Sequence, residues 1–350
     1  MLKNAIPFID LRDKTLVDLL RMFPDKAQEL IRAARRTYGL PSAIASAALM
    51  PLADKWSQAW LARTVNPYLH EIESMADVME CRGLYALNIC FEWGCTSGLW
   101  RTENTISLLR VLDWPFPELG KHIVILHQKG KAGEFYNITW PGVTGVFTGM
   151  APGRFTAAIN QAPMKKHGRG FIGDWATNRK IAYESQGIPA AHLLRQVFET
   201  AESYAAAKEM LMKRPIAVPA IFVLGGTMPG EGCVIERLEN AAAIFELSAD
   251  HQVRTTNHFV SSFDGEGKGW WPREIDSAGR YRHSGAIGGY ELEQEHFNWL
   301  RSPIINANTR LCVIADATTR RLMVQGYEGS LPVTELFHMP AAYHDRQEAV

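Results

Sequence analysis

At 350 residues, with 47% apolar and 21% charged side chains, the chain has ordinary globular composition and enough length for an ample core. Thirty-seven basic residues balance thirty-seven acidic ones, which removes the global electrostatic case for nucleic acid or an anionic membrane as partner. No apolar run reaches membrane-spanning length, the N-terminus lacks a signal-peptide layout, and five cysteines are too few for a disulfide framework. A soluble, reduced, cytoplasmic protein is the expectation.

Apolar spacing of three and four predicts helices over 11–37 and 42–80, with Leu16, Leu19, Leu20 and Phe23 on one stripe and Leu61, Val65 and Leu69 on another. The run from Leu84 to Phe91 reads as a strand leading into Glu92-Trp93-Gly94-Cys95-Thr96-Ser97. Turn-bounded strands are expected at Ile106–Leu112, His122–Gln128, Glu134–Trp140, Val143–Gly149 and Phe155–Asn160, followed by helix over 189–213. Further strands are expected at Ala220–Leu224, Gly232–Arg237 and Ala242–Leu247. A Gly/Trp-rich loop (264–272) and a helix near 289–299 come next, then strands at Arg310–Asp316 and Arg321–Tyr327. Strands, helices and strands again indicate an α+β layered domain rather than βαβ alternation.

Metal signatures are missing: there is no H-E-x-x-H and no C-x-x-C, and the eleven histidines are scattered, so no metal or cofactor is expected. Gly168-Arg169-Gly170-Phe171-Ile172-Gly173 fits G-x-G-x-x-G. It lacks the second strand ending in an acidic residue that a dinucleotide site needs, and reads as a flexible loop.

Cys95 stands out. It follows a glycine after an apolar run and precedes two small hydroxyl residues, and fifteen residues later come Arg110 and Asp113, charged groups in an apolar strand that need compensation if buried. A buried structural cysteine and an Arg110–Asp113 ion pair would be the plain alternatives. With Cys95-Thr96-Ser97 and Arg110-x-x-Asp113, the segments Phe155–Asn160, Gly225–Arg237, Thr255-Thr256-Asn257-His258-Phe259 and the region of Arg280 fall in one order. In that order the chain resembles the linear-amide hydrolases related to choloylglycine hydrolase, acid ceramidase and N-acylethanolamine acid amidase.

The resemblance implies an αββα N-terminal-nucleophile hydrolase sandwich preceded by a helical segment. Autocleavage between Gly94 and Cys95 would divide the chain into an α-chain of residues 1–94 and a catalytic β-chain of 95–350 that associate afterwards. Cleavage would give Cys95 an α-amine with pKa about 7.7–8.0, so that one residue supplies both thiol and base. Asp113 is expected to hold the α-ammonium, Arg110 to support Asp113 or the thiolate, and Asn257 to donate to an oxyanion; Asn160 adds a polar contact. Arg280 matches the family's later arginine, with Arg282 close by. The resemblance implies an acidic residue just after the strand Phe155–Asn160, where this chain has Gln161. Phe91, Trp93, Trp100, Trp114, Phe116, Trp140 and Phe147 are candidates to line an acyl pocket, with core packing as the plain alternative. The resemblance implies a small-molecule N-acyl amide as substrate, a fatty-acyl amide first and a bile-salt or penicillin-type amide as alternatives. Acyl transfer by the same cysteine, or lipid binding without catalysis, are the rival readings.

Overall fold

The computed structural model describes residues 3–38, 43–79, 83–89, 93–101, 105–247, 252–261, 263, 269–271 and 275–339. A strand, β1 (Phe8–Asp10), leads into helices α1 (Leu16–Met22), α2 (Pro24–Tyr38), α3 (Ala43–Arg63), α4 (Leu69–Met79) and α5 (Leu84–Asn88). Next come β2 (Gly94–Arg101), β3 (Ile106–Asp113), β4 (Val124–Gly130), β5 (Gly133–Thr139), β6 (Thr148–Ala151), β7 (Phe155–Gln161) and β8 (Met164–Lys165). Three helices follow, α6 (Gly170–Glu184), α7 (Ala190–Thr200) and α8 (Tyr204–Lys213), then β9 (Ala220–Gly225), β10 (Gly232–Arg237), β11 (Ala242–Glu246), β12 (Gln252–Thr255) and β13 (Trp270–Trp271). The chain closes with α9 (Ser277–Ser284), α10 (Gly289–Glu293), β14 (Thr309–Asp316) and β15 (Arg321–Glu328).

Two large sheets face each other. One runs β1-β4-β5-β6-β7-β9-β10-β11; the other runs β12-β2-β3-β14-β15, extended on β15 by two short segments, Leu331–Pro332 and Phe337–Met339. Strand β3 explains the layering. All eight of its residues are buried, so both of its faces need cover. Leu108 and Leu112 join the core between the sheets, whereas Leu109 and Val111 join a second cluster with Ile287, Leu292, Phe297 and Trp299 from the α9–α10 side. Helices α7 and α8 cover the outside of the other sheet. The order of layers is α-β-β-α, the α+β sandwich expected from the sequence.

Four local expectations change. Leu84–Asn88 is helical rather than extended: Ala86 N donates to Asp54 Oδ1 at 3.2 Å, so a carboxylate from α3 satisfies the start of α5. A short apolar run does not by itself separate a strand from a buried helix. Of Val143–Gly149, only the end is strand. Upstream, Thr144 N donates to Asn88 Oδ1 (2.7 Å) and Val146 N to Ala191 O (3.0 Å), which replaces a ladder. The helix expected near 289–299 ends at Glu293, and α9 precedes it. The G-x-G-x-x-G stretch is not a loop throughout, because Gly170 opens α6. Phe91, Glu92 and residues 264–268 lie outside the described residues.

The helical residues before Gly94 share the central apolar cluster, through Leu19, Leu30, Leu61, Ile72 and Met75, with residues of both sheets. They also supply β1, which pairs in parallel with β4 from Phe8↔Ile125 to Asp10↔His127. A polar clasp joins α4 to α7. Arg195 makes a two-pronged contact with Glu71, donates to Glu199 Oε1 at 2.8 Å, and lies 4.2 Å over the Tyr68 ring, while Tyr68 OH donates to Glu199 Oε2 at 2.7 Å. Beside it, Asn66 Oδ1 accepts from Tyr68 N, which leaves Asn66 Nδ2 to donate to His192 Nδ1 at 2.8 Å. His192 is therefore held as the neutral ring, and burial, helped by the nearby Arg195 charge, pushes its pKa down to about 3.

Because the unfolded chain binds a proton at this residue below about 6.5 and the folded chain does not until about 3, stability contributed here is complete above that window. It is lost as pH falls through it, at up to about 1.4 kcal/mol per pH unit. Urea unfolding at a series of pH values between these limits is expected to show that slope, and His192→Gln to flatten it by about one proton.

Candidate functional site

The centre of the sandwich carries the charged residues singled out in the sequence. Antiparallel pairing of β2 with β3 sets Gly94 opposite Asp113 and Ser97 opposite Arg110, so residues thirteen to nineteen apart in sequence become neighbours. Alternation along β2 sends Cys95 and Leu99 into the core between the sheets and Trp100 to the opposite cluster. Cys95 is fully buried, its Sγ 3.9 Å from Ile159 O. Burial pushes its thiol pKa up, and the Arg110 guanidinium pulls it partly back.

Arg110 is also fully buried. Its Nη1 donates to Ser97 Oγ (3.0 Å) and Asn160 Oδ1 (2.5 Å), while Nε and Nη2 have no hydrogen-bond partner among the described residues. Asn160 in turn donates through Nδ2 to Thr256 O at 2.9 Å, tying β7 to the segment that carries Asn257. These links bring Ser97, Arg110 and Asn160 into one network, and the Arg110 charge acts on the nearby Cys95 thiol.

A second network reaches Cys95 from α9. Arg280, fully buried, donates to the Cys95 carbonyl, to Thr96 Oγ1 at 3.1 Å and to Asn257 Oδ1 at 2.9 Å, and its Nη1 lies 3.8 Å from Asp113 Oδ2. Burial lowers the Arg280 pKa and the Asp113 charge opposes that shift. The approach to α9 is strained: Ile275 has φ 63° and Asp276 φ 40°, and the Ile275 carbonyl accepts from Arg280 Nε at 2.7 Å. Arg282 is exposed and plays no part in this network.

Asn257 sits where the two networks meet. Its Oδ1 accepts from Cys95 N at 2.7 Å, and its Nδ2 donates to Gln161 O at 2.9 Å and Trp93 O at 3.5 Å. Gln161 Oε1 accepts from Trp93 N at 2.7 Å, so the residue two before Cys95 is held from both sides. Asp113 Oδ1 accepts from Thr309 Oγ1 at 2.8 Å, whereas Oδ2 accepts no hydrogen bond among the described residues. Gly94 leaves little room there, since a Cβ at that position would stand 3.1 Å from Asp113 Cβ. Thr309, and Ser277, whose Oγ accepts from Asn257 N at 3.0 Å, are partners that the sequence reading missed; single hydroxyls far along the chain carry no local signal.

A cavity of about 500 Å³ ends on this cluster, lined at its inner end by Trp93, Gly94, Asp113 and Gln161 and farther out by Phe171 and Trp271. Cys95 is not part of its lining. Of the aromatic candidates, Trp93 lines the cavity. Trp140 does not: it is fully buried, donates Nε1 to Leu119 O at 2.8 Å and packs edge-on against Trp114. Trp114, Phe116 and Phe147 belong to the same core stack, and Trp100 faces the other side of its sheet with Nε1 on Ile287 O. Phe171, Trp175 and Trp271, which were not among the pocket candidates, provide aromatic lining instead.

No family model matches the chain. It is 28% identical over 225 residues to the acid ceramidase of Heterocephalus glaber, covering 58% of this chain and 56% of that protein. It is 28% identical over 179 residues to the N-acylethanolamine-hydrolyzing acid amidase of Cavia porcellus, covering 49% and 48%. A shorter match to the acid ceramidase of Bos taurus is 33% identical over 125 residues, covering 35% of this chain and 30% of that protein. The chain thus spans about half or less of the length of these relatives. Among solved structures, an N-acylethanolamine-hydrolyzing acid amidase ortholog of Caenorhabditis elegans aligns over 70% of this chain and 100% of its own, with 18% identity and TM-score 0.49. The conjugated bile acid hydrolase of Clostridium perfringens aligns over 73% and 100%, with 11% identity and TM-score 0.40. By its sequence, the chain is similar to the acid ceramidases and N-acylethanolamine-hydrolyzing acid amidases over about half of its length.

Proposed function

We propose that this protein is a self-processing cysteine amidase that hydrolyses a linear N-acyl amide, with a fatty-acyl group as the favoured acid portion. One observation carries the reading: the cavity stops at Gly94 and Asp113, and the fully buried Cys95 is the next residue of the chain. In the intact chain the thiol is sealed from the cavity. Removing the Trp93-Gly94 end from β2 would open the cavity onto Cys95. The names of the relatives support an amide substrate with a lipid portion, and the cavity's aromatic wall suits an apolar acyl chain.

Processing would proceed by attack of the Cys95 sulfur on the Gly94 carbonyl. The peptide C–N bond breaks, a thioester forms, and water releases Gly94 as a carboxylate while Cys95 keeps its thiol and gains an α-amine. Gly94, the residue before that amine, pairs opposite Asp113, whose Oδ2 accepts no hydrogen bond among the described residues, which supports this carboxylate as the group that would receive an ammonium. Departure of Trp93 would also free the Asn257 Nδ2 hydrogen now directed at Trp93 O, which makes it available to an oxyanion. Arg280 holds Asn257 Oδ1 and so fixes the way the amide faces. In turnover, the Cys95 amine takes the thiol proton, the thiolate attacks the substrate carbonyl, the amine protonates the departing nitrogen, and water hydrolyses the acyl-enzyme. Residues 1–94 would remain bound after the cut, through β1 and the Arg195 clasp.

Cys95→Ala is expected to leave the chain at its full mass and to abolish amide hydrolysis, whereas the wild-type protein yields fragments 1–94 and 95–350 that copurify. Intact-mass measurement and a panel of N-acyl amides check this. Normal processing and turnover in the alanine variant would remove Cys95 from the mechanism.

Asp113→Asn is nearly isosteric but has no charge to hold an ammonium. Turnover by the fully processed variant is expected to fall by about a hundredfold or more, in line with the 10²–10⁴-fold typical of positioned acid–base groups. Unchanged kinetics in a folded, processed variant would reduce Asp113 to a structural role.

With glutamine at 161, no carboxyl group there gains a proton on acidification, and the Cys95 amine serves as a base as pH approaches its own pKa, about 7.7–8.0. Both processing and turnover are expected to be fastest near neutrality, as in a cytoplasmic setting, and Gln161→Glu to make processing sensitive to acid. A wild-type optimum near about pH 4–5, the ordinary carboxylate range, unaffected by Gln161→Glu, would overturn this account.

A further inference from the structure

Helix α6 and the two-stranded β8–β13 ribbon stand apart from both large sheets, yet they supply much of the cavity wall, including Met164, Phe171, Trp175 and Trp271. The ribbon pairs Trp270 with Lys165 and Trp271 with Met164, and Lys166 N donates to Gly269 O at 2.8 Å. Isolated two-stranded ribbons are marginally stable, so this wall needs a fastener.

Asp174 is that fastener. It sits in the first turns of α6 with 1% of its surface exposed. Its Oδ1 accepts from Arg169 N at 2.9 Å and its Oδ2 from the Trp271 indole Nε1 at 2.9 Å. A charged acceptor makes both bonds stronger than neutral ones. The glycine motif has its use here. Gly168 and Gly170 have φ of 79° and 69°, with open space where a Cβ would stand, so conformation and not crowding favours glycine at these positions. That double left-handed turn starts α6 while leaving Arg169 N directed at Asp174. Trp271 is then fixed edge-on to Phe171, ring centroids 5.5 Å apart, with Lys166 5.2 Å over its ring. A second stitch, Asn178 Nδ2 to Lys165 O at 2.8 Å, ties α6 to β8 but does not touch Trp271.

We propose that Asp174 is the positioning residue for acyl-chain selectivity, because it fastens Trp271 to α6 and thereby fixes the outer wall of the cavity. The inference rests on the acyl-amide reading of the site. With the scissile carbonyl at the inner end near Gly94 and Asp113, a short acyl group ends before the Trp271–Phe171 wall and a long one runs along it. Each additional buried methylene strengthens binding about fourfold, so loosening the wall penalises long chains selectively.

The test compares hexanoyl and hexadecanoyl amides of one amine, with KM and kcat measured separately, on wild type, Asp174→Asn and Trp271→Phe. The second variant breaks the same bond from its other end and leaves the Arg169 contact in place. Both variants are expected to lower the hexadecanoyl-to-hexanoyl ratio of kcat/KM by about tenfold, through a raised KM for the long substrate without a matching fall in kcat. Palmitate and hexanoate binding to Cys95→Ala, followed by tryptophan fluorescence with and without Asp174→Asn, gives the same comparison independently of turnover. A ratio unchanged in both variants, or an equal loss for both chain lengths, overturns the role of Asp174 while leaving the amidase reading intact. A wild-type protein that hydrolyses neither amide and binds neither acid overturns both.

Discussion

A buried guanidinium organises the centre of this protein. Arg280 reaches the Cys95 carbonyl, the Thr96 hydroxyl and the Asn257 amide oxygen, and faces the Asp113 carboxylate at 3.8 Å. A charge with no exposure is tolerable only where hydrogen bonds and a countercharge replace water. That requirement binds together elements far apart in sequence: β2, the end of β12, the end of β3 and α9. The positive φ values at Ile275 and Asp276 mark the cost of bringing α9 to this point. Arg110, equally buried, works from the core side of the same strand through Ser97 and Asn160. Cys95 is thus fixed by one arginine through its backbone and influenced by the other through its thiol.

The N-terminal third is part of the sandwich and not an appendage. Its β1 completes one edge of the eight-stranded sheet, and its helices fill the same apolar cluster as the sheets. The Arg195 clasp adds a polar contact of the kind that is costly to break one partner at a time, since the remaining charges would be stranded with little solvent. His192 gives this junction a direction in pH, because its ring is held neutral by an amide hydrogen from Asn66. A proton on Nδ1 would set donor against donor.

The cavity joins two regions of different character. Its inner end is made by strands packed into the double-sheet core, where side chains have no freedom to shift without disturbing neighbours. Its outer wall is made by α6 and a ribbon of two residue pairs, with Phe171 and Ile172 exposed to solvent. The close-packed inner end and the outer wall differ because different elements provide them. Asp174 is where the second is fastened.

Much of the site was legible because it is local. Cys95, Arg110 and Asp113 lie within nineteen residues, and an antiparallel pair of strands makes such residues neighbours. Asn257, Arg280 and Asn160 were legible only through resemblance, since nothing in the spacing of a lone asparagine or arginine announces a partner 162 or 185 positions away. Trp140 was misread as a pocket residue because an aromatic side chain beside a strand serves core and cavity with the same local pattern. Helix α6 escaped the periodicity reading because its apolar residues turn toward the cavity and solvent as well as the core. By itself, the sequence determined the strand-and-helix layering and singled out Cys95 after Gly94, both products of short-range pattern. Tertiary structure alone decided that Leu84–Asn88 coils, that the cavity ends on Gly94, and that Asp174 meets Trp271. Each of these depends on which distant group satisfies a buried donor, and that is fixed only when the layers pack.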